Sequence, residues 1–196
     1  MLDKFFIRIP SGKLKGRKVA VLSNEKTRST KNIVAQSFLN TLRGELKNSI
    51  FAELFAGSAF MAICAISEGA KEAYTFEKDK NTFEILKENI KNLDLQDHIF
   101  TQFGDTFALA SDVLKIQNQE NLIIYLDPPF NVRDGFDEIY EKCLKLVQDL
   151  NPKIAVFEHN SDVKLPQLLK NLNFVKSKKF GKTSLSYFFN ENVKLF

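Results

Sequence analysis

The chain of 196 residues has no tryptophan, two cysteines, two histidines and five prolines. Two cysteines, Cys64 and Cys143, exclude a disulfide scaffold and a zinc ribbon, and with His98 and His159 they show no metal-ligand spacing. No apolar run approaches the ~20 residues that span a bilayer. Residues 1–10 carry Asp3, Lys4 and Arg8 and lack a signal-peptide core, so a cytoplasmic protein without a metal is expected. There is no G-x-x-x-x-G-K-[ST] run, which excludes a P-loop nucleotidase. Gly57-Ser58-Ala59 lacks the second glycine of a nucleophile elbow.

What is present is ordinary globular composition, with 44% hydrophobic and 27% charged residues. That is enough for one full core. The formal net charge of +4 hides an asymmetry. Residues 1–48 hold 11 basic and three acidic side chains, a balance of +8, whereas residues 49–196 hold 17 basic and 21 acidic, a balance of −4. A basic N-terminal extension (1–48) on a mildly acidic body (49–196) points to an arm that faces nucleic acid.

Residues 5–9 and 17–22 read as strands joined by a turn-rich basic connection, a hairpin that presents Lys13, Lys15 and Arg17. Ile33, Val34, Ser37, Phe38 and Leu42 fall on one helical face, which is expected to end near Gly44. From residue 50 the pattern alternates. Strand-like runs at 50–55, 72–76, 99–103, 122–126 and 154–157 are separated by helix-like segments. Five such repeats predict a Rossmann-like α/β domain with a mostly parallel sheet. The segments 174–180 and 184–189 flank Gly181-Lys182-Thr183 and close the chain with an antiparallel hairpin.

Ligands of such sheets bind beyond the carboxyl ends of the strands, where the strand order reverses. Four segments meet there. Glu53-Leu54-Phe55-Ala56-Gly57-Ser58 ends the first strand in a small-residue turn that lets a ligand approach the backbone. Glu77, with Lys78 beside it, ends the second strand about 20 residues on, where a carboxylate can hold ribose hydroxyls. Asp105, with Thr106, follows the third strand and either accepts from an adenine amine or caps the next helix. Asp127-Pro128-Pro129-Phe130 closes the fourth. The prolines remove two donors and leave carbonyls beside a carboxylate and an aromatic ring, a set of acceptors suited to a planar base with an exocyclic amine.

With these residues the chain resembles the D-type methyltransferases of bacterial small-subunit ribosomal RNA. The likeness runs through Ser11-Gly12-Lys13-Leu14-Lys15-Gly16-Arg17-Lys18, Arg28-Ser29-Thr30, Phe38-Leu39-Asn40, Leu54-Phe55-Ala56-Gly57-Ser58, Ser67-Glu68-Gly69-Ala70, Asp127-Pro128-Pro129-Phe130 and Phe180-Gly181-Lys182-Thr183. It implies a class I S-adenosylmethionine-dependent fold and methylation of the N2 amine of a guanine in 16S ribosomal RNA, as free RNA or in an assembled particle. Separately, no stripe of exposed apolar residues demands a dimer, so a monomer is expected. By the same resemblance, Glu53, Phe55, Ala56, Gly57 and Ser58 line the methionine end of S-adenosylmethionine. Glu77 and Lys78 meet the ribose, and Asp105 and Thr106 the adenine. Asp127, Pro128, Pro129 and Phe130 hold the target amine and base. Lys13, Lys15, Arg17, Lys18, Arg28 and Thr30 face RNA.

The chain departs from that pattern at Ala59 and Ala62, where glycines are usual, at Cys64 in place of an acidic residue, at Ser29, and at Ile33 and Ala35 in place of basic residues. A methyl group at position 59 is strained if its φ is positive. Two other readings stand beside the resemblance: an adenine-N6 methyltransferase of DNA, and a non-catalytic RNA-binding or ribosome-assembly protein on a methyltransferase scaffold.

Overall fold

The structure is a computed structural model that describes residues 3–23, 25–129, 136–191 and 193, with the side chains of all of these except 3, 23, 25–30, 136 and 137. A two-stranded antiparallel ribbon, β1 (Asp3–Arg8) and β2 (Lys18–Ser23), leads into the helix α1 (Glu25–Leu46). The body follows as β3 (Ile50–Leu54), α2 (Phe60–Ser67), β4 (Glu72–Glu77), α3 (Lys80–Asn92), β5 (Ile99–Phe103), α4 (Thr106–Lys115), β6 (Leu122–Leu126), α5 (Phe136–Leu150), β7 (Ile154–Asn160), β8 (Leu168–Leu169), β9 (Leu172–Phe180) and β10 (Thr183–Asn190). These eight strands form one sheet in the order β5-β4-β3-β6-β7-β10-β9-β8. The pairs from β5 to β7 are parallel, and β10 runs antiparallel to both β7 and β9.

The closing hairpin expected from sequence is therefore present, but its second strand is inserted next to β7 and its first strand lies outside it. The two-residue β8 is too short to leave an alternating pattern. β3 and β6 are buried at every position, which is why both read as near-continuous apolar runs. Their alternation sorts side chains to two layers. Phe51, Ile123 and Tyr125 join α1, α2 and α3, whereas Ile50, Ala52, Leu54 and Leu126 pack with α4 and α5. The sheet order reverses between β3 and β6.

The ribbon shares the first of these layers, since Ile7, Ile9, Val19 and Val21 sit in the same buried cluster as Phe38, Phe60 and Leu86. Its loop is seated on the end of α2, where Lys13 N–H donates to the Ser67 carbonyl (2.8 Å) and Leu14 N–H to Ser67 Oγ (3.0 Å). Gly12 makes this seating possible: at φ +80° a Cβ there would lie 2.1 Å from the Ser67 carbonyl oxygen. On the far side, Asn89 of α3 exchanges two 2.8 Å hydrogen bonds with the backbone of Ala20 and donates to the Ser58 carbonyl at 3.0 Å. One buried amide thus ties the ribbon to the glycine turn.

Helix α1 departs from the expected face. Its buried stripe is Val34, Ala35, Phe38, Leu39, Leu42 and Leu46, while Ile33 is 56% exposed, and the helix continues through Gly44. The stripe Val34, Phe38, Leu42, Leu46 keeps a strict four-residue spacing, so packing on the sheet outweighs the propensity cost of one glycine, about 1 kcal/mol.

Candidate active site

The turn after β3 has an unusual backbone. Phe55, Gly57 and Ala59 all adopt left-handed conformations, with φ of 63°, 55° and 60°. Ala59 stands at the N-cap of α2 with no side-chain cap. The free N–H groups of α2 are served by Glu53 instead, whose carboxylate accepts from Ala62 N–H at 2.8 Å and from Met61 N–H at 3.4 Å. Glu77, at the end of β4, braces the turn from the other side: it accepts from Gly57 N–H and Asp79 N–H, each at 2.8 Å. Cys64 lies fully buried in α2, where burial and the Glu53 carboxylate push its thiol well up, so this position carries no charge.

Around this turn runs a cleft of two lobes. One, of about 220 Å³, is lined by Phe55, Phe76, Glu77, Lys78, Asp79, Asp105, Thr106, Asp127 and Pro129. The other is lined by Glu53, Phe55, Ala56, Gly57, Ser58 and Asp127, joined by Lys31, Tyr125 and Glu158. Phe55 and Asp127 belong to both, so they form the waist of one continuous site. In the first lobe Asp105 caps α4, accepting from Phe107 N–H (2.9 Å) and Ala108 N–H (3.2 Å).

The second lobe gathers three carboxylates from the ends of three adjacent strands. Glu53 and Tyr125 are directly paired across β3 and β6, and the Tyr125 hydroxyl donates to Glu158 Oε2 from β7. Burial raises all three carboxylates: Glu53 reaches about 8, and Asp127 and Glu158 also lie above the usual range. Lys31 acts against this shift at each of them. The lobe thus holds clustered acceptors facing the Lys31 ammonium, in surroundings that only partly favour their charged forms.

Residues 7–189 match the family described as conserved hypothetical protein 95. The chain belongs to that family. It is 28% identical over 190 residues to ribosomal RNA small subunit methyltransferase D of Haemophilus influenzae, covering 94% of each chain. The structure of yhhF from Escherichia coli has the same fold, with a TM-score of 0.76 and 22% identity over 95% of this chain and 99% of that one. SMU.776, a structure complexed with S-adenosylhomocysteine, aligns with a TM-score of 0.70 and 12% identity, over 95% of this chain and 56% of that one. The architecture is that of the class I methyltransferases.

Within this family member the sequence-derived candidates fall into two places. Glu53, Phe55, Ala56, Gly57, Ser58, Glu77, Lys78, Asp105, Thr106, Asp127 and Pro129 all line the cleft. Pro128, between Asp127 and Pro129, is buried and its side chain lines neither lobe, and Phe130 lies outside the described residues. Lys13, Lys15, Arg17 and Lys18 are exposed on the ribbon and line neither lobe of the cleft. Arg17 donates to the Asn92 carbonyl at 3.0 Å, so part of its hydrogen-bonding capacity serves the fold. Arg28 and Thr30 belong to α1, but their side chains are not described.

Sequence reasoning missed Lys31, Tyr125 and Glu158. Tyr125 and Glu158 look like ordinary strand residues, and only the β3–β6–β7 register brings them to Glu53. Lys31 left one signal: a lysine three residues before the buried Val34 on a helix that leads into the sheet.

Proposed function

We propose that this protein transfers the methyl group of S-adenosylmethionine to the exocyclic N2 amine of a guanine in small-subunit ribosomal RNA. The observation that carries this reading is the place of Asp127: it stands at the waist of the cleft, with a ribose-and-adenine-sized lobe on one side and a carboxylate-lined lobe on the other. The donor set fits the cofactor. Glu77 and Asp105 offer acceptors to hydroxyls and an amine, Phe55 and Phe76 supply an apolar wall, and the open space over Gly57 leaves room for the chain of a bound methionine. When bound, S-adenosylmethionine supplies an electrophilic methyl on a sulfonium.

The residues of this chain then act by placement. A guanine amine is a weak nucleophile because its lone pair is delocalised into the ring. Asp127 accepts one amine hydrogen and the Pro128 carbonyl accepts the other, which favours a pyramidal nitrogen aimed along the transfer line. Lys31 counters the burial that raises the Asp127 carboxyl and so keeps it ionised and able to accept. After transfer, the same carboxylate takes the proton that the methylated nitrogen releases. The relatives named as ribosomal RNA methyltransferases, and the +8 balance of residues 1–48, support RNA as the substrate class.

The test is transfer of labelled methyl from S-adenosylmethionine to small-subunit particles and to free 16S RNA, followed by digestion to nucleosides. N2-methylguanosine is the expected product, and Asp127→Ala is expected to lower the rate at least ~100-fold while cofactor affinity stays within a few-fold. Methyladenine as the sole product, or full activity of the variant, rejects this assignment.

A further inference from the structure

The outer face of the ribbon carries a feature that the methyl-transfer chemistry does not use. On β1, Phe5 and Ile7 turn to the core, as does Ile9 just after the strand, while Lys4, Phe6 and Arg8 remain exposed. Phe6 is 49% exposed on a strand whose neighbours are otherwise cationic. Its cross-strand partner is Ala20, too small to cover the ring, and Lys18 stands with Nζ 5.9 Å from the ring centre. Lys4, Phe5, Phe6, Arg8, Lys18 and Asn32 together line a groove of about 480 Å³. The half-exposed Phe100 and Phe103 differ, because each lies against a second ring, Tyr74 and Phe83 respectively.

Two further observations give this groove a direction and a rigid floor. Asn32 lines the groove and Lys31, the preceding residue of α1, lines the lobe that holds Asp127, so the two sites adjoin across one helix. The edge of β2 behind Phe6 is fixed by the paired hydrogen bonds between Ala20 and Asn89.

We propose that Phe6 is a stacking platform for an unpaired nucleobase of the RNA substrate, with Lys18, Arg8 and Lys4 meeting the adjoining phosphates. This rests on RNA being the substrate class. Charge selects the occupant: among the described residues the groove is lined by Lys4, Arg8 and Lys18 and by no carboxylate. The 2.9 Å pair that Lys4 makes with Glu88 is an exposed surface contact that a phosphate can replace, so the aromatic face matches a base on a phosphate chain. A single strand that delivers its target base to Asp127 passes over α1 and reaches Phe6 within a short span.

The test is fluorescence anisotropy of the full chain with a labelled single-stranded oligoadenylate over a range of salt concentrations. Phe6→Ala is expected to weaken binding at least about fivefold with an unchanged salt slope, because stacking releases no counterions. Lys18→Ala should lower that slope by about one. Phe6→Trp should restore binding and Phe6→Leu should not, which separates stacking from greasy contact. Wild-type binding by Phe6→Ala or by Phe6→Leu overturns the proposal, as does a wild-type chain that does not bind the oligonucleotide. Sedimentation that shows a dimer dissolved by Phe6→Ala also overturns it, in favour of a second copy on this face. If binding depends on Phe6 but no RNA receives a methyl group, the platform stands and the transfer reading fails.

Discussion

The two lobes of the cleft place the same side-chain chemistry in different surroundings. In the lobe beside β4 and β5, carboxylates are met by backbone donors: Glu77 by Gly57 and Asp79, Asp105 by Phe107 and Ala108. Asp79, at its rim, lies below its ordinary value because Thr82 donates to it. In the lobe beside β3, β6 and β7, carboxylates have lost water faster than they have gained donors, and Glu53, Asp127 and Glu158 are all raised. Hydrogen bonds to a carboxylate and burial of it act with opposite sign on its charge, and the balance differs over the width of one Phe–Asp waist. In the first lobe the carboxylates are held by backbone donors, and in the second the Lys31 ammonium only partly offsets burial.

The largest effect that separates the lobes is expected at Glu77. Glu77→Ala removes the brace on Gly57 and, on the proposed reading, the acceptor for ribose, and a hydrogen bond to a carboxylate contributes about 1.5–3 kcal/mol. Calorimetric titration with S-adenosylmethionine should show at least ~10-fold weaker binding, while transfer at saturating cofactor stays within a few-fold. A variant that binds the cofactor normally but transfers slowly would show that the lobes are not separable in this way.

The second effect is one of pH. Glu53 titrates near 8 in the folded chain and in the ordinary carboxylate range when unfolded. Between these values the folded state holds a proton that the unfolded state has released, so stability is greatest at low pH and declines as pH rises towards 8. The slope from one such group approaches about 1.4 kcal/mol per pH unit. Glu53→Gln keeps an acceptor for Ala62 N–H and removes the titration. Denaturant unfolding from pH 6.5 to 8 should then show a shallower decline than wild type, with the remainder set by Asp127 and Glu158. An unchanged slope would mean that Glu53 is ionised in the fold.

The same comparison explains what could be read from the sequence. The glycine turn, Glu77, Asp105, Asp127 and Pro129 each lie at or just past the end of a strand, so their place in the cleft follows from local pattern and the rule that ligands sit beyond carboxyl ends. The alternation of strands and helices likewise marked every strand from β3 to β7 to within a few residues. The carboxylate lobe was illegible because it is made by register. Nothing local distinguishes Glu158 from a strand-end charge until β7 is set beside β6 and Tyr125 reaches it. Nor could a pattern show that β10 is inserted beside β7, or that Asn89 is the amide linking ribbon and turn, since each depends on partners far along the chain.

The smallest effect is expected at the turn between β3 and α2. Ala59 has φ 60° and ψ 28°, so the strain anticipated from its methyl group is present. An L-residue in this region costs roughly 1–2 kcal/mol relative to the right-handed one. Yet Ala59 is completely buried, and its methyl contributes roughly 0.8 kcal/mol by leaving water. Glycine would relieve the strain, lose that contact and add roughly 0.5–1 kcal/mol of unfolded-state entropy. These terms nearly cancel, so Ala59→Gly should change unfolding stability by less than about 1 kcal/mol. Gly57→Ala is the control. A Cβ there meets nothing within 4 Å, so it gains no packing while adopting φ 55°. The strain of roughly 1–2 kcal/mol, less the roughly 0.5–1 kcal/mol of unfolded-state entropy that alanine removes, should appear as a loss of up to about 1.5 kcal/mol. Measured together by denaturant melts, the pair tests whether a buried methyl can hold a left-handed turn that elsewhere requires glycine. Equal losses for both variants would show that it cannot.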